Sequence, residues 1–292
     1  MERIPDDEVL AQHSRIKHAN MLWSVNASTA IEGNTLWIDD IRNIFLGRTI
    51  HNSYQVQEVR GAIKAYEKRK EYDPYSTDDM LTAHHDMMSM LVEEDGKFRT
   101  CGVGVFKGNV PVHIAPDFKE VPGLVEDLME WALTADHHPL IKSSIYHYLF
   151  EHIHPFRDGN GRMGRLWQSL ILMRWEPIFE WMPIETKILS EQKNYYSALQ
   201  SSDPENVTPF VSFMLRAIRN AVSEFVDEMS DLPQLSEDEA RIINTMSIHE
   251  VFDVGKLAEK LDINEETVKR CISSLEKKRL IIRHDMGTRY KK

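Results

Sequence analysis

Residues 154–165 read His-Pro-Phe-Arg-Asp-Gly-Asn-Gly-Arg-Met-Gly-Arg and bring together several groups that could do chemistry. The imidazole of His154 titrates near neutral pH and suits a general base. The carboxylate of Asp158 is a ligand that Mg²⁺ accepts beside phosphate. A glycine-containing turn that opens a helix directs backbone N–H groups at an anion, and Arg162 and Arg165 add forked donors. The combination predicts phosphate-transfer chemistry.

Helices must position this run, because apolar residues on both sides of it recur at spacings of three and four. The stretches 143–152 and 165–174 each carry one apolar face, and 121–133 carries another. We therefore predict a helix, the loop of interest and a second helix, within a mainly α fold.

The segment 98–116 breaks the helical pattern, since Gly102, Gly104, Gly108 and Pro111 lie among β-branched residues. This composition predicts a small β-hairpin, with an irregular connection as the alternative. A hairpin directly before the helices that carry the loop would form a rim over a site.

The C-terminal part of the chain has a different order of predicted elements. Residues 229–235 predict a linker, and Ser236 with the acidic residues after it predicts a helix start. Further helices are predicted at 255–261 and 265–278, followed by two short strands around a turn. This order is typical of a winged helix-turn-helix domain, which we place at 236–292.

The run from His154 to Arg165 matches every fixed position of the Fic-domain signature, and the chain resembles that family over roughly residues 90–228. The resemblance implies a Fic-type helical bundle with a β-hairpin flap. It divides the chain into an N-terminal helical region at 1–90, which carries an inhibitory helix, and a catalytic core at 91–228. The implied activity is protein adenylylation (AMPylation), with ATP as substrate and Mg²⁺ as cofactor.

The resemblance also implies a role for each residue of the run. His154 would be the catalytic base that deprotonates a hydroxyl of a target protein or of the chain itself, and Asp158 would hold Mg²⁺ on the phosphates. The residues that would bind the nucleotide are Gly159, Asn160, Gly161, Arg162 and Arg165. Kinase-like members of the family carry lysine where Gly161 stands, so glycine here favours attack on the α-phosphorus and transfer of AMP.

Residues 28–33, Ser-Thr-Ala-Ile-Glu-Gly, match the inhibitory motif of Fic proteins, and we name them the inhibitory segment. Their spacing places Ser28 and Glu32 one helical turn apart on the same face. Glu32 would reach Arg165 and occupy the place of the γ-phosphate until the helix moves. The alternative is an ordinary helix end at Gly33. Some Fic enzymes also use this glutamate to remove AMP, so the resemblance also allows removal of AMP by this chain.

Two further segments resemble parts of the family. Tyr195 and Tyr196 resemble the residues that line the adenine pocket, with tyrosines of a core or a surface as the alternative. The hairpin at 105–116 resembles the flap with which the family binds a target segment by strand addition.

Charge limits the partners. The formal net charge is −11, which argues against a surface that is basic throughout, but the last 27 residues hold nine Lys or Arg against three Asp or Glu. Lys269, Arg270, Lys277 and Arg283 would line the last helix and the wing, a layout that suits DNA phosphates. The alternatives there are a protein-docking or homodimer module and a solvated surface. The alternative function is therefore a DNA-binding transcriptional regulator whose Fic core senses nucleotide.

Cellular location is indicated by the cysteines and the apolar runs. Cys101 and Cys271 lie far apart and predict neither a disulfide framework nor metal-ligand spacing. The acidic N-terminus lacks the apolar stretch of a signal peptide, and no run is long and apolar enough to span a bilayer. We expect a cytoplasmic protein with no membrane partner.

Overall fold

The computed structural model describes residues 14–48, 53–107, 110–230, 235–246 and 253–278, together with positions 51, 233 and 281. The elements in chain order are α1 (Ser14–Ile31), α2 (Ile38–Phe45), α3 (Tyr54–Glu67), α4 (Thr77–Met88), β1 (Gly104–Lys107), β2 (Val110–Ile114), α5 (Val121–Thr134), α6 (Pro139–Ile153), α7 (Asn160–Trp175), a 3₁₀ turn (Pro177–Trp181), α8 (Ile184–Ser190), α9 (Gln192–Gln200), α10 (Thr208–Ser230), α11 (Glu237–Thr245), α12 (Val254–Leu261) and α13 (Glu265–Lys277). The predicted mainly α fold is confirmed. None of the described helices is long and apolar enough to cross a membrane.

Side chains at the helix starts explain where several helices begin. Ser53 Oγ accepts a hydrogen bond from Val56 N–H at the start of α3, and Ser76 Oγ accepts one from Asp79 N–H at the start of α4. These caps satisfy N–H groups that the first turn of a helix leaves unpaired. α5 and α6 instead carry proline in the first turn, where a missing N–H costs nothing.

One hydrophobic core joins the N-terminal helices to the helices around the loop. Its buried side chains come from α1 to α7, with Val25, Val59, Phe150 and Leu166 as examples. Burial of apolar surface stabilises such a core by about 25 cal/mol per Å². Residues 19–224 form one compact unit, so the described residues from 19 to 90 pack with the helices around the loop. The domain division predicted from the sequence stays a prediction.

β1 and β2 form an antiparallel pair within the segment 98–116, with Gly104 opposite Ile114. The pair is bound to α6 because His113 Nε2 donates a hydrogen bond to the carbonyl oxygen of His152 at 2.7 Å. The two strands therefore lie beside the helix that leads into the loop.

A second compact unit contains the helices that follow α10. α11, α12 and α13 share a small core that includes Ile242, Leu257 and Val268. Their bounds agree with the helices predicted there from the sequence. α10 itself continues to Ser230, so the first residues of the linker predicted at 229–235 belong to a helix.

The predicted DNA contacts fall partly on described residues. Lys269, Arg270 and Lys277 are exposed on α13, and Lys269 Nζ lies 3.6 Å from the carboxylate of Glu265. Arg283 and the predicted wing lie outside the described residues. The winged-helix domain and its binding to DNA therefore stay predictions.

Candidate active site

The loop between α6 and α7 is closed by the side chain of Asn160. Its Oδ1 accepts from Phe156 N–H at 2.9 Å, and its Nδ2 donates to Phe156 O at 2.8 Å. Gly159, at φ +84°, adopts the left-handed conformation that favours glycine. The first helical bond runs from Met163 N to Gly159 O, so the N–H groups of 160–162 are those an anion can use. Asn160, predicted to bind nucleotide, thus has its side chain engaged within the loop and offers only its backbone.

His154 ends α6 with a left-handed backbone at φ +52°. Its Nδ1 lies 3.3 Å from the carbonyl oxygen of Glu151, which can only accept, so Nδ1 carries the proton and Nε2 is the basic nitrogen. Burial lowers the pKa of His154 to about 4, against the opposing effect of the bond to Glu151. The imidazole is therefore neutral at pH 7, the form that a general base requires.

Arg99, which no sequence motif marks, holds the backbone at His154. Its side chain is 2% exposed. Nε donates to His154 O at 2.8 Å, Nη1 to Cys101 O at 3.0 Å and Nη2 to Pro116 O at 2.6 Å. A left-handed residue other than glycine costs about 1–3 kcal/mol and persists where its surroundings fix it. Arg99 supplies that constraint and joins the two ends of the β-hairpin to the loop.

His84 supports the loop from α4. Its ring stacks on Phe156 with centroids 3.7 Å apart. Nε2 donates to Asp158 O at 3.0 Å, and Nδ1 accepts from Gly96 N–H at 2.9 Å. Burial lowers the pKa of His84 to about 4, so the ring keeps one donor and one acceptor at neutral pH. In the sequence, the apolar Met80 and Met88 lie one helical turn before and after His84, and this spacing predicts that the ring faces the core.

Asp158 on the loop and Arg162 in the first turn of α7 lie side by side. The Asp158 side chain is 48% exposed, and its Oδ1 lies 3.4 Å from Arg162 Nη2. The same oxygen accepts from Gly159 N–H at 2.6 Å. Arg162 is buried, and its Nη1 donates to Oε1 of Glu58 at 3.2 Å. Glu58 belongs to α3, 104 residues away in sequence, which is why no local pattern pointed to it.

The inhibitory segment binds Arg165. Nη2 donates to Glu32 Oε1 at 2.7 Å and to Ser28 O at 2.9 Å, while Nε donates to Ser28 Oγ at 3.0 Å. Burial disfavours the charged guanidinium, but the charge and hydrogen bond of Glu32, together with Tyr195 and Glu151, outweigh burial and raise the pKa of Arg165 above its usual value. Burial also raises the pKa of nearby Glu151 to about 8, so at pH 7 that carboxyl is mainly neutral and Glu32 supplies the negative charge. The predicted contact of Glu32 with Arg165 is present, and Ser28 binds the same guanidinium.

Gly161 lies directly against this ion pair. A Cβ at Gly161 would overlap Oε1 of Glu32 and would lie 3.1 Å from Nη1 of Arg165. The Glu32 carboxylate therefore occupies the space beside the first N–H groups of α7, where an anion would bind. A carboxylate and a phosphate cannot both fill that space.

The helix that carries the inhibitory segment is anchored by a buried carboxylate. Ser24 Oγ donates to Glu185 Oε2 at 2.7 Å, and the hydroxyl of Tyr66 donates to Glu185 Oε1 at 2.9 Å. Ser169 Oγ donates to the same Oε1 at 3.3 Å. Glu185 thus links α1 to α3, α7 and α8, and this link fixes the position of Glu32 opposite Arg165.

Tyr195 and Tyr196 occupy different environments on α9. Tyr195 is 1% exposed, and its hydroxyl lies 3.1 Å from Nε2 of His147. Tyr196 is 46% exposed, and its hydroxyl donates to Ile31 O at 3.1 Å. Tyr195 points into the core and Tyr196 towards the surface, because adjacent helical residues point in different directions. The binding of adenine by Tyr195 and Tyr196 stays a prediction. Tyr196 keeps an exposed face beside the inhibitory segment.

Comparisons with known proteins agree on one family. The model of the Fic/DOC family matches residues 74–172. The chain is similar to the crystal structure of a Fic family protein from Desulfovibrio desulfuricans G20, with 36% identity, a TM-score of 0.73 and coverage of 97% of this chain and 88% of that one. It is similar in fold to a Fic domain containing signaling protein from Bacteroides thetaiotaomicron, at 21% identity and a TM-score of 0.60, covering 75% and 88%.

Curated relatives carry a more specific name. Protein adenylyltransferase fic-1 of Caenorhabditis elegans is 29% identical over 236 residues, which is 75% of this chain and 44% of the relative. Protein adenylyltransferase Fic of Nematostella vectensis is 25% identical, covering 70% of this chain and 49% of the relative. The chain thus spans about half the length of the curated relatives it matches.

Proposed function

This chain belongs to the Fic family, and on that premise we propose that it transfers AMP from ATP to a hydroxyl side chain of a protein. The observation that carries the proposal is the neutral imidazole of His154 beside a helix N-terminus that contains Gly161. The names of the curated relatives support the same reaction. The acceptor is a hydroxyl of a partner protein or of the chain itself.

The residues of the loop divide the reaction between them. His154 Nε2 accepts the proton of the acceptor hydroxyl as its oxygen forms a bond to the α-phosphorus. The bond from the α-phosphorus to the oxygen that bridges to the β-phosphate breaks, and pyrophosphate leaves with that electron pair. The N–H groups of 160–162 bind phosphate oxygens, and Arg162 and Arg165 bind the outer phosphates.

Asp158 is suited to bind Mg²⁺, because its carboxylate is 48% exposed and lies next to the N-terminus of α7. Proteins usually bind Mg²⁺ through one or two carboxylates together with substrate phosphates. When bound, the ion would neutralise charge on the phosphates of the leaving group.

Inhibition follows from the contacts of Glu32. The ion pair with Arg165 at 2.7 Å uses donors that the outer phosphate of ATP requires, and the carboxylate fills space next to Gly161. We infer that the inhibitory segment prevents a productive pose of ATP until α1 moves. The β-hairpin, held next to the loop, is the surface that would align a segment of the acceptor protein.

The position of the label in ATP tests the reaction. Incubation of the Glu32→Gly variant with Mg²⁺ and ATP labelled at the α-phosphate is expected to label protein, whereas ATP labelled at the γ-phosphate is not. The reason is that the bond that breaks lies between the α- and β-phosphates. Incorporation of the γ label would show phosphoryl transfer instead. Incorporation of neither label would favour the alternative in which the Fic core only senses nucleotide.

A further inference from the structure

Glu58 of α3 is a buried carboxylate that binds both the first turn of α7 and the turn after the inhibitory segment. It is 8% exposed. Oε1 accepts from Nη1 of Arg162 at 3.2 Å, and Oε2 accepts from Nδ2 of Asn34 at 3.0 Å. Asn34 follows Glu32 by two residues. One side chain therefore connects an arginine of the first turn of α7 to the residue that directly follows the inhibitory segment.

The bond to Glu58 fixes the orientation of the Arg162 guanidinium. With Nη1 held by Glu58, Nη2 points towards Oδ1 of Asp158 at 3.4 Å. Nε of Arg162 is buried and has no hydrogen-bond partner among the described residues. A buried donor without a partner costs about 1–3 kcal/mol, so this N–H is placed to gain from an acceptor. The free donor and the weakly engaged Nη2 are therefore the atoms that Arg162 can offer to a phosphate.

Only a carboxylate can make both bonds of Glu58. Arg162 and Asn34 each present N–H donors, and each oxygen of Glu58 accepts one of them. A glutamine has one acceptor oxygen and one donor nitrogen, so it can keep the bond to Arg162 or the bond to Asn34 but not both. Burial raises the pKa of Glu58, and the charge of Arg162 opposes that shift.

We propose that Glu58 is a positioning residue, which orients Arg162 for the outer phosphates and couples that arginine, through Asn34, to the turn that follows the inhibitory segment. The inference rests on the proposed function, since it assumes that Arg162 binds phosphate. Removal of the Glu32 carboxylate leaves the bonds of Glu58 in place. Glu58 therefore still orients Arg162 in the Glu32→Gly variant, because neither of its bonds involves Glu32. Its effect is on the binding of ATP rather than on the proton transfer at His154.

The test compares Glu58→Gln with a matched control in the Glu32→Gly background. Glu67→Gln removes the same charge from the exposed end of the same helix. Glu58→Gln is expected to weaken ATP about tenfold, both as KM for AMP incorporation and as Kd by calorimetry with Mg²⁺, while kcat changes less than about twofold. Glu67→Gln should leave all three values unchanged. Asn34→Ala should weaken ATP in the same direction by a smaller factor.

A double-variant cycle separates positioning from general loss of structure. If Glu58 acts through Arg162, Glu58→Gln should add no further loss of ATP affinity in a chain that already carries Arg162→Ala. Equal losses of ATP affinity in the presence and absence of Arg162 would overturn the inference, as would an unchanged Kd in Glu58→Gln. The Kd of ATP does not depend on transfer of AMP. If Glu58→Gln weakens Kd as expected but no variant incorporates AMP, the proposed function is contradicted. Glu58 is then still a positioning residue for Arg162.

Discussion

A chain that carries both Glu32→Gly and His154→Ala is expected to transfer AMP about 10²–10⁴-fold more slowly than Glu32→Gly alone, the range that a general base contributes. The expectation follows from the neutral imidazole of His154, whose Nε2 is the basic nitrogen at the loop. The rate of incorporation of α-labelled AMP measures the effect. Replacement of the exposed His137 by alanine is the matched control and should not change the rate.

The pH dependence of the same reaction provides a second check on His154. Burial lowers the pKa of this imidazole to about 4, so its base form persists as the pH falls from 7 to 5. The Glu32→Gly variant has lost a nearby negative charge that raises this pKa, so the value should not increase. The rate is expected to fall only as the pH drops towards 4. A rate that falls through pH 6.5 would mean that His154 titrates as an exposed imidazole or is not the base.

Replacement of Arg99 by leucine is expected to destabilise the fold by about 3 kcal/mol or more. The change leaves the carbonyl oxygens of His154, Cys101 and Pro116 without their buried donor, and each buried unsatisfied group costs about 1–3 kcal/mol. For a domain of this size, about 2–4 °C is lost per kcal/mol, so the thermal midpoint should fall by about 6 °C or more.

The loss should extend to activity, because the left-handed conformation of His154 depends on the same guanidinium. At a temperature where Arg99→Leu is still folded, AMP incorporation in the Glu32→Gly background should fall by about two orders of magnitude, as expected for a misplaced catalytic group. Arg219→Leu replaces an exposed arginine of α10 and serves as the control. Equal thermal midpoints for the two leucine variants would show that Arg99 does not fix the loop.

Local patterns predicted the parts of the site that are close in sequence. The apolar spacing at 143–152 and 165–174 predicted the helices on both sides of the loop, and they are α6 and α7. The spacing of Ser28 and Glu32 placed both on one face, and both contact Arg165. These predictions succeed because helical periodicity fixes which side chains share a face.

The residues that support the loop could not be predicted in this way. Arg99, His84 and Glu58 reach it from three other segments, and their partners are largely backbone carbonyls or charges that only the tertiary fold brings near. The side chain of Asn160 closes its own loop. The burial of Tyr195 likewise depends on packing against neighbouring helices, which the sequence of α9 alone does not specify.

The comparison of AMP incorporation between the unmodified chain and Glu32→Gly tests the central claim most directly. Because the Glu32 carboxylate binds Arg165 and fills space beside Gly161, its removal should allow ATP to bind productively. A charged hydrogen bond of about 1.5–3 kcal/mol predicts a rise in the initial rate of about 10–100-fold, with ATP labelled at the α-phosphate and Mg²⁺ present. Equal rates in the two folded proteins would contradict inhibition by Glu32.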